Sequence, residues 1–228
     1  MSDQQSVTKN YVAIIDIGSN AVRLVVYDGI NRAPIRVYSE RTICDLATTG
    51  YLNADSVKKA LNSIRRFSGL LAAMKIKNVR TVATAAVRDA RDGYNFVNTV
   101  EREFGLLINV IDGQEEARLS SLGVLANGLG DDGIIGDYGG GSLELIGVKD
   151  GHVQHKASLP LGSHRVQAEK SREAQVDMIR THVEKTGFLK EYTGKNFYAM
   201  GGAWRSMAMA HIFMSQNPLR LFDHYQVE

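Results

Sequence analysis

The stretch IIGDYGGGSLELIGV, Ile134–Val148, places three consecutive glycines between the pair Asp137-Tyr138 and Ser142, with Glu144 two residues further on. Glycine loses more backbone freedom on ordering than any other residue, so such a run is unfavourable inside a helix or a strand. Gly139, Gly140 and Gly141 therefore mark a turn where something approaches bare backbone. A second stretch repeats the pattern. DIGSNAVRLVV from Asp16 lies over DYGGGSLELIG from Asp137, and the copies start 121 residues apart. Both read Asp-x-Gly, then small residues, then a leucine eight positions after the aspartate, Leu24 or Leu145. Each copy reads as strand, tight turn, strand. Such a turn can aim consecutive N–H groups at an anion, and internal similarity marks duplicated supersecondary units. One Gly-rich turn alone would read as an ordinary hairpin. Two matched turns, each with an aspartate at its mouth, favour a phosphate clamp in a cleft between two domains, a common place for ligand sites.

The rest of the chain follows the same duplication. YVAIIDIG, AVRLVVYDG and APIRVYSE read as strands, the second closing on an Asp-Gly turn. Asp55 or Ser56 can cap a helix to about Lys75, with Val57, Leu61, Ile64 and Leu71 on one face. VRTVAT is a strand, YNFVNTVEREFG a helix ending at Gly105, LLINVI a strand, and GQEEARLSSLGVLANG a helix with acids in its first turn. GLGDDG, Gly128–Gly133, breaks the chain, and the order begins again with strands in IIGD, SLELIGVKDG and HVQHKASLPLG. A helix around Arg172–Thr186, the strand FYAM and a helix from about Ala203 complete the reading. The class is α/β, with a flexible tail over 1–10, a first domain over 11–129 and a second over 130–228.

Of the 228 residues 44% are hydrophobic and 23% charged, a globular composition with room for two modest domains. A net charge of +2 and a pI near 8.6 fall short of a dedicated nucleic-acid binder, but suit an anionic substrate. The single cysteine, Cys44, precludes an intramolecular disulfide and points to a reducing compartment. No apolar run approaches a membrane span, and the first residues lack a signal peptide's apolar core. A cytoplasmic location is the expectation, with no nucleic-acid or membrane partner; a homodimer is left open.

At this point the chain resembles a known family. IIDIGSNAVRLVVYDG, TVATAAVRDARDG, VIDGQEEARLSSLGV, GDYGGGSLEL, SLPLG and FYAMGGAWRSMA stand in the order found in exopolyphosphatases and guanosine pentaphosphate phosphohydrolases, within the actin-like ATPase superfamily. The resemblance runs from about Tyr11 to the end. It implies duplicated actin-like (ribonuclease H-like) domains with the active site in the cleft between them. Members usually continue well past this length, so a truncated second domain is expected. Ala21 stands where the family often has Ser, Asp92 where it often has Asn, and Gly201-Gly202-Ala203 where it has Gly-Gly-Thr.

Phosphoanhydride hydrolysis needs neutralised charge, a positioned water and a base. Gly18, Ser19 and Asn20, with Gly139, Gly140, Gly141 and Ser142, would supply donors to phosphate. Asp137 and Glu144 bracket the second loop and are the natural ligands of a divalent cation, most simply Mg²⁺; a turn-capping Asp137 is the plainer alternative. Glu115 and Glu116 both suit a helix N-terminus, and the resemblance implies that the second of them, Glu116, is the base that activates water. Arg88 follows the strand TVAT; a guanidinium suits phosphate, and the family has an arginine there. Arg23 occupies the position in the first copy that Glu144 occupies in the second.

Other candidates read as structural. His152 and His155 point to opposite faces of a strand, Cys44 has no evident base, and Trp204 suits core packing. Lys156, Arg165 and Lys170 are too scattered to define a basic track. There is no nucleophile elbow and no Walker loop. The leading expectation is hydrolysis of inorganic polyphosphate or guanosine pentaphosphate. The alternatives are an ATP-using phosphotransferase of the same fold, and a non-catalytic sensor of polyphosphate or a guanosine alarmone.

Overall fold

The computed structural model describes residues 10–31, 34–46, 50–126, 132–218, 220–221 and 225–227. The tail expected over 1–10, except Asn10, and the break at 128–131 lie outside them. The chain forms two compact units, Met1–Asp112 and Gly113–Glu228.

Unit 1 contains a five-stranded sheet in the order β3-β2-β1-β4-β5. Its strands are β1 (Val12–Ile17), β2 (Ala21–Tyr27), β3 (Arg36–Ile43), β4 (Asn78–Ala83) and β5 (Ile108–Val110). The first three run antiparallel, and β4 joins β1 in parallel. Period-2 alternation buries Ala13, Ile15 and Ile17 of β1 and Val22, Leu24 and Val26 of β2 on one face. The opposite face carries Asp16 and Arg23, both exposed. Helix α1 (Ala54–Ala73) packs Ala60, Ile64, Phe67 and Leu71 into this core. Its cap is Asn53 rather than Asp55 or Ser56: the Asn53 side chain accepts from both of their N–H groups. The short α2 (Ala85–Asp89), which periodicity did not reveal, precedes α3 (Gly93–Phe104). Gly105 ends α3 in the left-handed region at φ 65°.

Unit 2 repeats the plan. Strands β6 (Gly133–Tyr138), β7 (Leu143–Lys149), β8 (His152–Leu159) and β9 (Asn196–Met200) form a sheet in the order β8-β7-β6-β9. As in unit 1, the first three are antiparallel and the last is parallel to the first. Even the irregularities match: the register shifts between Val26 and Tyr27 in β2, and between Gly147 and Val148 in β7, 121 residues later. Among the described residues no strand lies outside β9 as β5 lies outside β4.

Helix α4 (Gly113–Ala126), expected to close the first domain, instead packs on β6, β7 and β8. Its buried Ala117 and Val124 meet Ile135, Ile146 and Val148. The boundary between compact units therefore falls between Asp112 and Gly113, not at 129/130, because the apolar stripe of α4 is used by the second sheet. The other face of that sheet, with Ile134 and Leu145, is covered by Phe188 and Tyr192 of a short 3-10 turn (Phe188–Tyr192). Helices α5 (Ser163–Gln167), α6 (Arg172–Glu184) and α7 (Gly202–Met214) complete the unit.

Candidate active site

Pleating decides where the two acids of unit 2 point. Asp137 follows Ile135 by two residues and Glu144 precedes Ile146 by two, so both carboxylates lie on the face packed by α4. They are direct partners in the β6–β7 register. Ser120 of α4 donates to Asp137 Oδ2 at 2.7 Å. Ser158 of β8 donates to Glu144 Oε1 at 2.8 Å. Glu144 is 2% exposed. Burial pushes its carboxyl above the usual range and the charge of Asp137 adds to this, while hydrogen bonds from Ser142 and Ser158 oppose it. A pair of crowded carboxylates of this kind is an acceptor set for a hard cation.

Helix α4 brings Glu116 to the same place. Gly113, Glu116 and Ser120 follow one another at i, i+3 and i+7, along one side of the helix. Gly113 abuts Ser158, since a Cβ on it would lie 2.4 Å from Ser158 Oγ. Ser120 is bonded to Asp137. Glu116 therefore sits on the side of α4 held between the partner of Glu144 and the partner of Asp137. Glu115 is engaged elsewhere. Its carboxylate takes Arg118 in two bonds, of 2.7 and 2.8 Å, and that guanidinium holds its pKa down.

The glycine loop between β6 and β7 is backed by the start of α5. Gly139 closes the turn by donating its N–H to Ser142 O at 3.0 Å. The carbonyls of Gly139 and Gly140 accept from the N–H groups of Ser163 and His164 at 3.1 and 3.0 Å. The carbonyl of Gly141 accepts from Arg165 Nε at 3.0 Å. Gly162 makes this approach possible, because a Cβ there would stand 2.2 Å from the carbonyl carbon of Gly141. Part of the need for bare backbone thus comes from the protein's own chain.

The first hairpin is built alike. Gly18 donates to Ala21 O at 3.0 Å, the counterpart of the Gly139 closure. Gly18 and Gly139, expected among the phosphate donors, therefore use their N–H groups inside the turns. Ser19 is buried. With its amide oriented to satisfy both neighbours, Asn20 donates to Asp45 Oδ1 at 2.8 Å and accepts from Arg41 Nη2 at 3.2 Å. Arg23 stands between Asp16 and Arg41 in the strand registers. The N–H of Thr84, ahead of α2, donates to Ile17 O at 3.2 Å, which ties that helix to the end of β1. Arg88 on α2 donates to Ile111 O at 2.9 Å and to Asp89 Oδ1 at 3.2 Å.

The departures noted in the sequence have plain structural settings. Asp92 accepts from Leu52 N at 2.9 Å. Gly201, at φ 103°, would bring a Cβ within 2.5 Å of Tyr138 O. His155 stacks on Phe188 with ring centroids 4.9 Å apart, Trp204 packs edge-on to Phe197, and Cys44 is buried with its thiol pKa pushed up by burial. Among the described residues no group of three or more His, Cys, Asp or Glu side chains is placed to hold a metal, and no helix is long and apolar enough to cross a membrane. Ser120, Ser158 and Gly162 escaped the sequence reading, which named Arg165 only among scattered basic residues and Gly201 only within a departure from the family pattern. The signal for Ser158 and Gly162 was SLPLG itself, which stood in the sequence only as the end of a strand and a stretch shared with the family.

Comparisons with known proteins place the chain in a family. The model of the Ppx/GppA phosphatase family matches residues 40–224. Exopolyphosphatase 1 of Mycobacterium tuberculosis is 30% identical over 165 residues, 69% of this chain and 48% of that protein. The chain thus spans about half the length of the curated relatives it matches. The structure of the Aquifex aeolicus PPX-GPPA enzyme superposes with a TM-score of 0.70 at 27% identity, over 89% of this chain and 71% of that one. An exopolyphosphatase from Cytophaga hutchinsonii shares the fold with a TM-score of 0.78 at 21% identity, over 92% of this chain and 72% of that one. With family motifs in both hairpins and a family match over most of its length, the chain belongs to the Ppx/GppA phosphatase family.

Proposed function

We propose that the protein hydrolyses the terminal phosphoanhydride bond of inorganic polyphosphate, with guanosine pentaphosphate as the second substrate to test. The observation that carries this reading is the placement of Glu116 on the side of α4 pinned to Asp137 by Ser120 and, through Gly113, to the Ser158 partner of Glu144. A sensor that only binds phosphate has no need of a carboxylate there, and a phosphotransferase has no need of the GQEEA helix start.

In this reading Glu116 takes the proton of an attacking water. The water oxygen bonds to the terminal phosphorus, the bridging P–O bond breaks, and the leaving chain keeps the electron pair as a phosphate end. The free amides of the glycine loop receive phosphate oxygens. In unit 1, Arg88 and Arg23 are the cations proposed to neutralise phosphate charge. Asp137 and Glu144 fit a Mg²⁺ ion: two carboxylates in register leave its remaining positions to water and phosphate oxygens, as this ion prefers. When bound, it would neutralise charge on the oxygens at the scissile bond.

The deciding experiment measures orthophosphate release from polyphosphate and from guanosine pentaphosphate, with and without Mg²⁺. Release from polyphosphate that stops on chelation supports the proposal. Binding of either substrate with no release would replace it by the sensor reading, and phosphate transfer to an acceptor other than water by the phosphotransferase reading.

A further inference from the structure

Three consecutive carbonyls of the glycine loop are held from one side: Gly139 O by Ser163 N–H, Gly140 O by His164 N–H and Gly141 O by Arg165 Nε. In a planar trans peptide the carbonyl and the following N–H point in opposite directions, and no peptide bond of the described chain is cis. Holding the carbonyls of Gly139, Gly140 and Gly141 toward α5 therefore turns the N–H groups of Gly140, Gly141 and Ser142 away from it. Those of Gly140 and Gly141 meet no acceptor among the described residues.

The first hairpin shows which of these bonds is special. Asn20 holds the position equivalent to Gly141, four residues after the aspartate. Its carbonyl is fixed by two main-chain donors, Cys44 N and Asp45 N, at 2.9 and 3.0 Å. In the second hairpin a side chain fills that role. The peptide between Gly141 and Ser142 is thus the one loop plane whose observed restraint is a removable guanidinium, and glycine at 141 leaves it conformationally loose without one.

We infer that Arg165 is a positioning residue: its guanidinium fixes the Gly141–Ser142 peptide plane, and so aims the amides of the glycine loop at a phosphate group. This rests on the proposed reading of that loop as a phosphate cradle. Arg165 acts through the loop, and its effect is geometric before it is electrostatic. Charge attraction at an exposed site is screened at high salt, where the Debye length shrinks to a few ångströms. A fixed peptide plane is not.

The test uses the full chain with inorganic tripolyphosphate as probe, in low salt and in molar salt. Binding is read by calorimetry and the loop amides by ¹⁵N–¹H NMR. Arg165→Ala should weaken binding about tenfold or more, the size expected for a lost charge-assisted hydrogen bond, and the factor should persist in molar salt. It should also shift the amide resonances of Gly140, Gly141 and Ser142 in the free protein. Arg165→Lys, which keeps a charge and one donor, should restore part of the affinity. Arg172→Ala removes an equal charge from the exposed start of α6 and should do neither. Equal losses in the Arg165 and Arg172 variants, or an Arg165 effect that vanishes in molar salt, would reduce Arg165 to a plain charge and overturn the inference. If the wild type does not bind tripolyphosphate, the cradle reading falls. The positioning claim then stands on the amide resonances, and unshifted loop amides in Arg165→Ala would overturn it.

Discussion

Asp137 stands directly opposite Glu144 across the β6–β7 hairpin, and both side chains turn toward the face covered by α4. Their mutual repulsion and the burial of Glu144 are costs that a bound cation would relieve. In EDTA, Glu144→Gln should therefore melt at a higher temperature than the wild type, because a desolvated charge has been removed. Added Mg²⁺ should raise the melting temperature of the wild type and leave that of the variant almost unmoved. Equal Mg²⁺ shifts in the two proteins would remove Glu144 from the metal site. Asp137→Asn should raise the Mg²⁺ concentration needed for turnover.

Glu116 and Glu115 are neighbours in sequence and about 100° apart around the helix. Glu116→Gln keeps shape and removes basicity, so kcat should fall by about 10²-fold or more with little change in KM. Glu115 is held by Arg118 on an exposed surface, and Glu115→Gln should turn over as the wild type does. Steady-state kinetics on both variants checks this; equal losses would show that the base is misassigned.

Ser120 has no chemistry of its own, but it orients Asp137 through a 2.7 Å hydrogen bond. Partners of metal ligands typically contribute about 10- to 100-fold in metal affinity or activity. Ser120→Ala should raise the Mg²⁺ requirement by about that factor, and saturating Mg²⁺ should recover most of the rate. A Mg²⁺ titration of activity distinguishes this from a loss that no concentration of metal repairs.

Gly162 and Gly202 should answer differently to alanine. A Cβ on Gly162 meets main-chain atoms of Gly140, Gly141 and Ser142 at 2.2–2.4 Å, whereas Gly202 has nothing within 4 Å. Gly162→Ala should displace the loop, cost about 1–3 kcal/mol, and abolish tripolyphosphate binding. Gly202→Ala, at the start of α7 and at ordinary φ, should be neutral or slightly stabilising. Thermal melts and calorimetry separate the two.

Acid stability should depend on Glu40. Arg66 donates to its carboxylate at 2.8 Å and Tyr38 donates from the other side, and these bonds lower its pKa. A carboxylate with a depressed folded-state pKa stabilises the fold above its unfolded pKa, and that contribution is lost as the pH falls through the folded value. Glu40→Gln should therefore be less stable than the wild type at neutral pH, with the gap closing below the ordinary carboxylate range. Urea melts across pH 3–7 would show a constant gap if Glu40 contributed nothing through its charge.

Two repeated stretches of chain were enough to determine the duplicated hairpins. Asp-x-Gly followed by small residues and a leucine recurs because each copy must make the same turn, and apolar alternation on either side fixes which residues face a core. The helix from Gly113 was legible from its first-turn acids. So was the stop of α3 at Gly105, because caps and periods are local properties of the chain. The sequence also singled out Asp137 and Glu144, which bracket the glycine run, whereas only the family resemblance set Glu116 apart from Glu115.

Tertiary structure decided the rest. Which sheet α4 covers depends on where Ala117 and Val124 find apolar partners, and those partners, Ile135, Ile146 and Val148, come later in the chain. The bonds from Ser120 to Asp137, from Ser158 to Glu144 and from Arg165 to Gly141 join residues 14 to 24 positions apart. No local pattern announces such pairs, because a serine or arginine that orients a site looks like any other until folding brings its partner within about 3 Å. The glycine run was read as a cradle for a ligand. Packing shows that it also admits the backbone of Gly162, and steric exclusion of that kind exists only once both segments are in place.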